Sequence, residues 1–216
     1  MTTVGQGRRQ RMERWKLRAF WTWQSVLVLW RQPEERRRIR RWVRELRANP
    51  LELRSPWWSY QMVEVVGALL EPGMRAFEFG SGGSTLWLVD RGLEVTSVED
   101  QPFWGEAVRN ATEGKMTLLL EPDGGPSYVA TIGDVPEHSL DLVIIDGVAR
   151  LECAQAARTK VRPGRWVLFD DSQRVEYAAC SEIFSGWPAR TITGLKPGGG
   201  GGVGTSTLFQ CPPSTD

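Results

Sequence analysis

Residues 75–89 read RAFEFGSGGSTLWLV, and this stretch decides the fold. The pattern predicts a short apolar strand, a glycine turn and then a helix that begins near Ser84. Gly80 permits a tight turn, whereas Gly82 and Gly83 let the backbone approach a ligand because they carry no Cβ. A strand that leads through such a turn into a helix is typical of α/β folds that bind nucleosides.

Acidic residues near this turn narrow the choice of ligand. Glu99 ends the next predicted strand, where a carboxylate can accept hydrogen bonds from both hydroxyls of a ribose. The turn departs from the dinucleotide-binding pattern, because Thr85 replaces the third glycine and Glu78 stands two residues before the first. The Glu78 carboxylate would repel a pyrophosphate but can hold an amino group. S-adenosylmethionine has a ribose, an amino-acid tail and no phosphate, so it is the expected cofactor.

The expected cofactor-binding residues belong to the glycine turn and to the end of the second strand. They are Glu78, Gly80, Ser81, Gly82, Gly83, Ser84, Thr85, Glu99 and Asp100, with Asp100 and Phe103 placed to border the adenine. Two other functions stay open. One is a nicotinamide-dependent oxidoreductase on the same fold, which Thr85 and Glu78 disfavour. The other is a non-catalytic membrane-associated assembly protein, which the intact glycine turn disfavours.

Short β-rich runs alternate with helical stretches after residue 75, as in a parallel sheet with crossover helices. We expect an α/β fold with a seven-stranded, mostly parallel Rossmann-like sheet and helices on both faces. A helix over Trp57 to Leu70, begun by Ser55 and Pro56, should precede the sheet. The predicted strands are Arg75 to Phe79, Glu94 to Val98, Met116 to Leu120, Leu140 to Ile145, Trp166 to Phe169, Arg190 to Thr193, and Thr205 to Gln210.

Three aspartates follow the middle strands. Asp146 ends the fourth predicted strand, and Asp170 and Asp171 end the fifth. Ligands of open α/β sheets bind at this edge, so the three carboxylates should converge near the transferred group as catalytic residues. They would either hold a divalent cation such as Mg²⁺ or act as a general base. The alternative for Asp170 and Asp171 is a strand-end turn that caps a helix beginning near Arg174.

The 216-residue chain has a net charge of +1 that hides an asymmetry. Residues 1–49 contain 14 Arg and Lys against 4 Glu, giving +10, and residues 50–216 carry −9. Such a split is typical of a separate extension that meets an anionic partner. We therefore expect a basic helical extension over residues 1–49 and a separable catalytic domain over residues 50–216.

The extension contains a predicted basic amphipathic helix. Ile39, Trp42, Val43 and Leu46 form its apolar stripe, and seven arginines lie between residues 36 and 47. Such a helix binds an anionic membrane surface, packs on the body of the protein or joins copies in an oligomer, and the pattern leaves all three open.

The sequence disfavours export and a membrane-spanning segment, although a basic stretch followed by an apolar one resembles a signal peptide. The apolar run from Ala19 to Trp30 is shorter than the ~20 residues that cross a bilayer, and no cleavage site follows it. The three cysteines form no disulfide or metal-binding pattern. We expect a cytoplasmic protein, with attachment to the inner face of the membrane as the alternative.

From Met74 to Phe209 the chain resembles the class I, Rossmann-like methyltransferases. In that family ExGxGG after the first strand binds the amino-acid end of the cofactor, and an acid ending the second strand binds the ribose. The motifs FEFGSGGSTLW, SVED, LVIIDG and VLFDDS are similar to those of bacterial methyltransferases that have no assigned acceptor. The resemblance implies S-adenosylmethionine-dependent methyl transfer.

The three aspartates are also similar in layout to metal-dependent O-methyltransferases of the catechol and caffeoyl-coenzyme A type. In those enzymes an acid after the fourth strand and an acid followed by an amide after the fifth strand bind a divalent cation. This chain has Asp171 in place of the amide, and no lysine follows Asp146 where that family has its base. The likeness implies O-methylation of a small molecule or of a glycan- or lipid-linked acceptor. Nucleic-acid methylation is disfavoured, because the chain lacks the Asn/Asp-Pro-Pro-aromatic and Pro-Cys motifs.

Overall fold

The computed structural model describes residues 23–198 and 202–214, and in this part of the chain seven strands form one sheet. The spatial order of the strands is β3-β2-β1-β4-β5-β7-β6. All neighbours pair in parallel except that β7 runs antiparallel to both β5 and β6. The strands are β1 (Arg75–Phe79), β2 (Glu94–Glu99), β3 (Thr117–Leu120), β4 (Leu140–Ile145), β5 (Val161–Asp170), β6 (Ala189–Lys196) and β7 (Gly202–Gln210).

Both faces of the central strands are buried, which is typical of a mostly parallel sheet that is covered on both sides. Successive side chains point to opposite faces, so Phe77 and Phe79 join one hydrophobic cluster whereas Ala76 joins the other. Helices cover the two faces, and the predicted α/β class is confirmed. The helices are α1 (residues 23–31), α2 (Ile39–Glu45), α3 (Pro50–Leu53), α4 (Tyr60–Gly67), α5 (Gly83–Val89), α6 (Pro102–Ala111), α7 (Pro126–Ala130), α8 (Arg150–Ala157) and α9 (Cys180–Ile183), with 3-10 helices at Pro33–Arg38 and Val175–Tyr177.

The predicted bounds of β1 and β4 are confirmed, but β5 begins five residues earlier than expected. Its first half contains Pro163 and Gly164, which are uncommon inside strands and conceal the strand in the sequence. Gly164 has a φ of +78°, and the register with β4 shifts between Leu140 and Leu142. The added segment is therefore an irregular extension of β5.

The helix before β1 begins later than predicted. Its N-cap is Ser59, whose Oγ accepts a hydrogen bond from the Met62 amide at 3.2 Å. Ser55 instead lies against the glycine turn, because a Cβ on Gly83 would come within 2.2 Å of the Ser55 carbonyl oxygen. The segment expected to start a helix thus packs over the cofactor turn.

The predicted apolar stripe lies on the less exposed side of α2, except at one position. Ile39, Trp42 and Leu46 are half-buried, and Val43 is 55% exposed. Two members of the charge run, Glu35 and Arg38 of the 3-10 helix, are buried and pair with each other. The sequence pattern did not predict that these two charged residues turn inward.

An ionic network attaches this helix to the body of the protein. The Arg38 guanidinium donates to Glu35 and to Glu64 of α4, each at 2.5 Å. Glu35 also accepts from the Leu195 amide of β6 at 3.1 Å. Packing on the body, one of the three alternatives for the extension, therefore occurs at this helix. The division at residue 49 stays a prediction.

Replacing Glu35 by alanine should lower the free energy of unfolding by about 2 kcal/mol, because a buried cation and a buried amide lose their acceptor. Urea denaturation followed by circular dichroism measures the change. Glu34→Ala, at an exposed neighbouring position, is the matched control. Equal stability of the two variants would contradict a structural role for the network.

Candidate functional site

A cavity of about 300 Å³ opens at the carboxyl edge of the sheet, where β1, β2 and β4 end. Ligand-binding clefts start at about this volume. The cavity brings the predicted cofactor turn together with one of the three aspartates. Its lining residues are Glu78, Gly80, Ser81, Ser84, Glu99, Asp100, Trp104, Asp146, Gly147 and Val148.

The turn after β1 requires glycine at its first position. Gly80 has a φ of +91°, a conformation that residues with a Cβ rarely adopt. A Cβ there would also lie 3.0 Å from the Gly147 backbone nitrogen. The ends of β1 and β4 therefore approach each other closely beneath the cavity.

Glu78 ties the turn to its surroundings. It is 1% exposed and accepts hydrogen bonds from the hydroxyls of Ser84, Thr85 and Ser97, the last at 3.1 Å. Burial raises the pKa of Glu78 to about 7, although the three hydroxyl donors act in the opposite direction. Glu78 thus joins β1, β2 and α5 and presents a carboxyl group to the cavity wall.

Glu99 fixes the other side of the turn. One carboxylate oxygen accepts from the Ser81 amide at 2.8 Å and from its hydroxyl at 2.7 Å, while the other accepts from the Gln101 amide at 3.0 Å. A carboxylate has about four acceptor positions, so one is left for a ligand hydroxyl. Burial raises the pKa of Glu99.

The wall next to Glu99 contains a tryptophan that the sequence patterns did not single out. The Trp104 indole donates to the Ser81 carbonyl at 2.7 Å and lines the cavity. Phe103, expected to border an adenine, is instead 90% exposed. Asp100 lines the cavity at the predicted place.

Beneath the cavity, Gly147 and Tyr128 are in close contact. A Cβ on Gly147 would lie 2.1 Å from the Tyr128 hydroxyl oxygen, and Tyr128 is completely buried. That hydroxyl has no hydrogen-bond partner within residues 23–198 and 202–214. Neither residue was predicted to belong to the site. The glycine directly after Asp146 in LVIIDG is a feature of the sequence that could have indicated the close backbone approach at the end of β4.

Arg150 organises the predicted aspartates. Its side chain is 8% exposed and donates to the backbone carbonyls of Asp146, Gly147 and Asp170 at 2.6–2.9 Å. It also donates to the Asp146 carboxylate at 3.0 Å and lies 3.7 Å from that of Asp171. Convergence of the aspartates is therefore achieved through a buried cation.

The three carboxyl groups have different surroundings. Asp146 lines the cavity with 29% of its side chain exposed, and burial raises its pKa to about 6 against the pull of Arg150. Asp170 is buried, accepts from the Ser206 hydroxyl at 2.5 Å and has its pKa raised well above the usual range by burial. Asp171 has a φ of +55° and pairs with Arg174. Of the three, Asp146 alone lines this cavity.

Neither Asp170 nor Asp171 caps the next helix, because the 3-10 helix Val175–Tyr177 has Arg174 at its N-cap and no side-chain capping bond. The residues also do not suit Mg²⁺, since the Arg150 guanidinium pairs with both Asp146 and Asp171. Across the described ranges, no group of three or more His, Cys, Asp and Glu side chains is arranged as a metal site. The expectation of a divalent cation is not supported.

No family model and no curated protein matches the chain. Solved structures do match. A precorrin-6y C5,15-methyltransferase from Geobacter metallireducens GS-15 is 13% identical with a TM-score of 0.53, covering 70% of this chain and 88% of that one. A putative O-methyltransferase from Klebsiella pneumoniae is 17% identical with a TM-score of 0.51, covering 70% and 77%.

This chain has the class I methyltransferase fold. Identities this low establish the fold and leave the acceptor open. Within this methyltransferase fold, most of the predicted cofactor residues line the cavity, whereas Gly82, Gly83 and Thr85 lie behind it. Gly83 packs under Pro50 and Ser55, and the Thr85 hydroxyl accepts from the Gly82 amide at 2.9 Å. The last three residues therefore shape the turn.

Proposed function

We propose that the protein is an S-adenosylmethionine-dependent methyltransferase that methylates an oxygen of a small molecule or of a glycan- or lipid-linked acceptor. The observation that carries the proposal is the shared cavity, in which the glycine turn and Glu99 face the same space as Asp146. The first two suit the amino-acid and ribose parts of the cofactor, and Asp146 suits the proton of an acceptor hydroxyl.

The fold supports the same conclusion, because ligands of open α/β sheets bind outside the carboxyl ends of the strands. The bound cofactor supplies a methyl group on a sulfonium, which is a good leaving group. The glycine turn and Glu99 would hold the cofactor, and its methyl group would pass to the acceptor oxygen while the sulfur keeps the electron pair of the broken bond. The acceptor hydroxyl gives its proton to the Asp146 carboxylate.

Asp146 is suited to this step by its surroundings. A general base works best when its pKa is near the working pH, and burial raises the pKa of Asp146 to about 6. Arg150 holds the carboxylate in place at 3.0 Å. Burial raises the pKa of Asp170 well above its usual range, and this residue supports the strand end, whereas Asp171 balances the Arg150 charge.

Replacing Glu99 by alanine should weaken the binding of S-adenosylhomocysteine by about 2 kcal/mol, or roughly 30-fold, because the hydrogen bond from a ribose hydroxyl to the free acceptor position of this carboxylate is lost. Isothermal titration calorimetry measures the change. Glu106→Ala, on the exposed side of α6, should bind like the wild type.

Thermal melting of both variants separates lost binding from lost folding. Unchanged affinity in a folded Glu99→Ala variant would place the cofactor elsewhere. Binding of NAD⁺ in place of S-adenosylhomocysteine would support the oxidoreductase alternative.

A further inference from the structure

Helix α1 carries an exposed aromatic face. Trp23, Val26 and Trp30 are 62%, 51% and 71% exposed, and their spacing puts them on one side of the helix. Ser25 and Val28 are buried, so the other side is packed against protein. Large apolar side chains grouped on a surface in this way are typical of an interaction site.

This face is held in place by the segment that follows it. The Arg36 guanidinium donates to the Leu29 carbonyl at 3.1 Å, and the Gln32 amide donates to the Val28 carbonyl at 2.8 Å. The 3-10 helix that contains Arg36 is itself attached to the body by the network of Glu35. The exposed tryptophans therefore belong to a fixed surface of the folded protein.

Helix α2, which follows α1 in the chain after the 3-10 helix, adds exposed positive charge. Arg40, Arg44 and Arg47 lie at helical spacing around Val43, which is 55% exposed. These arginines, and Arg31 at the end of α1, are exposed and make no hydrogen bond or ion pair with any residue of the ranges 23–198 and 202–214. We call the eight residues the basic aromatic surface: Trp23, Val26, Trp30, Arg31, Arg40, Val43, Arg44 and Arg47.

We propose that the basic aromatic surface binds the surface of an anionic phospholipid bilayer. Tryptophan favours the headgroup region of a bilayer, where its ring is buried and its N–H stays hydrated. Unpaired arginines are attracted to lipid phosphates. The rest of the chain supports this occupant, because residues 50–216 carry a net charge of −9 and would be repelled by anionic lipid. The attraction therefore comes from the basic N-terminal extension and not from residues 50–216.

The attachment is peripheral. Among the described residues no helix is long and apolar enough to cross a membrane. A helix that exposes a narrow apolar face flanked by arginines lies in the plane of the interface instead. The contact is then governed jointly by apolar burial and by charge, which predicts sensitivity to both tryptophan and arginine substitutions.

Cosedimentation of the full chain with lipid vesicles tests the proposal. The wild type should bind vesicles that contain phosphatidylglycerol at least about tenfold more tightly than vesicles of phosphatidylcholine alone, and added salt should weaken that binding. The double variant Trp23→Ser/Trp30→Ser and the triple variant Arg40→Gln/Arg44→Gln/Arg47→Gln should each lose about tenfold or more.

Matched controls use exposed residues outside the surface. Val175→Ser, at an 88% exposed position, and Arg190→Gln, on an exposed part of β6, should bind vesicles like the wild type. Retained S-adenosylhomocysteine affinity and an unchanged melting temperature show that the tryptophan and arginine variants are folded.

Three results would overturn the proposal. Equal binding to both kinds of vesicle would show that binding does not depend on lipid charge. Full binding by the tryptophan variant would show that it does not depend on the aromatic face. A wild type that ignores vesicles but self-associates, or binds RNA, through the same residues would assign the surface to a second copy of the chain or to nucleic acid.

Discussion

Asp146→Asn should lower turnover about 1000-fold while leaving S-adenosylhomocysteine affinity nearly unchanged, because a positioned general base contributes a factor of this order. The amide keeps the size of the side chain and can still accept from Arg150, but it cannot take the acceptor proton. Methyl incorporation from labelled S-adenosylmethionine into metabolites and glycolipids extracted from a strain deleted for the gene measures turnover. The exposed Asp134→Asn variant is the matched control.

The pH profile distinguishes a base from a residue that only orients the acceptor. Since burial raises the pKa of Asp146 to about 6, the group is protonated and inactive below that pH and ionised above it. The wild-type activity should therefore rise with pH up to about 6 and then level off. Asp146→Asn should lose this rise. Full activity of the variant would leave Asp146 as a structural strand end.

Arg150→Met should lower the free energy of unfolding by about 4 kcal/mol, since removing one partner of a buried ion pair leaves charge without compensation. Three backbone carbonyls also lose their donor. Urea denaturation at neutral pH measures the effect. Arg190→Met, at an exposed position of β6 without an ion pair in the described residues, should stay within about 0.5 kcal/mol of the wild type.

The effect of Arg150→Met should depend on pH in a defined direction. The destabilisation comes from ionised carboxylates, and the raised pKa of Asp146 means that it gains a proton as the pH falls through about 6. The loss of stability should therefore be larger at pH 8 than at pH 5. A pH-independent loss would assign the effect to the carbonyl bonds alone.

The parts of the fold that could be predicted are those in which neighbouring residues carry the signal. The bounds of β1 and β4 follow from short runs in which apolar residues predominate, and Gly80 follows from the turn that it must form. Thr85 was predicted to bind the cofactor and was seen as a departure from the dinucleotide pattern. Its hydroxyl in fact bonds to Glu78 and accepts from the Gly82 amide, which makes it part of the turn.

The missed features depend on residues that are distant in sequence. Arg150 is buried because carbonyls at the ends of two strands converge on it, and no local pattern marks an arginine for that role. Glu35 is buried because it meets the Leu195 amide, 160 positions away along the chain. A charge run conceals which of its members face inward, so the buried face of the extension could not be identified from its periodicity.

The contact between Tyr128 and Gly147 limits which substitutions these positions can accept. A methyl group at position 147 would meet the Tyr128 hydroxyl at 2.1 Å and the Gly80 amide nitrogen at 2.9 Å, so neither partner of Gly147 can yield alone. Any lineage that enlarges residue 147 must first shorten residue 128 and open the turn at residue 80. Substitutions at these three positions should therefore be inherited together, and the order in which they arise is constrained by the space beneath the cavity.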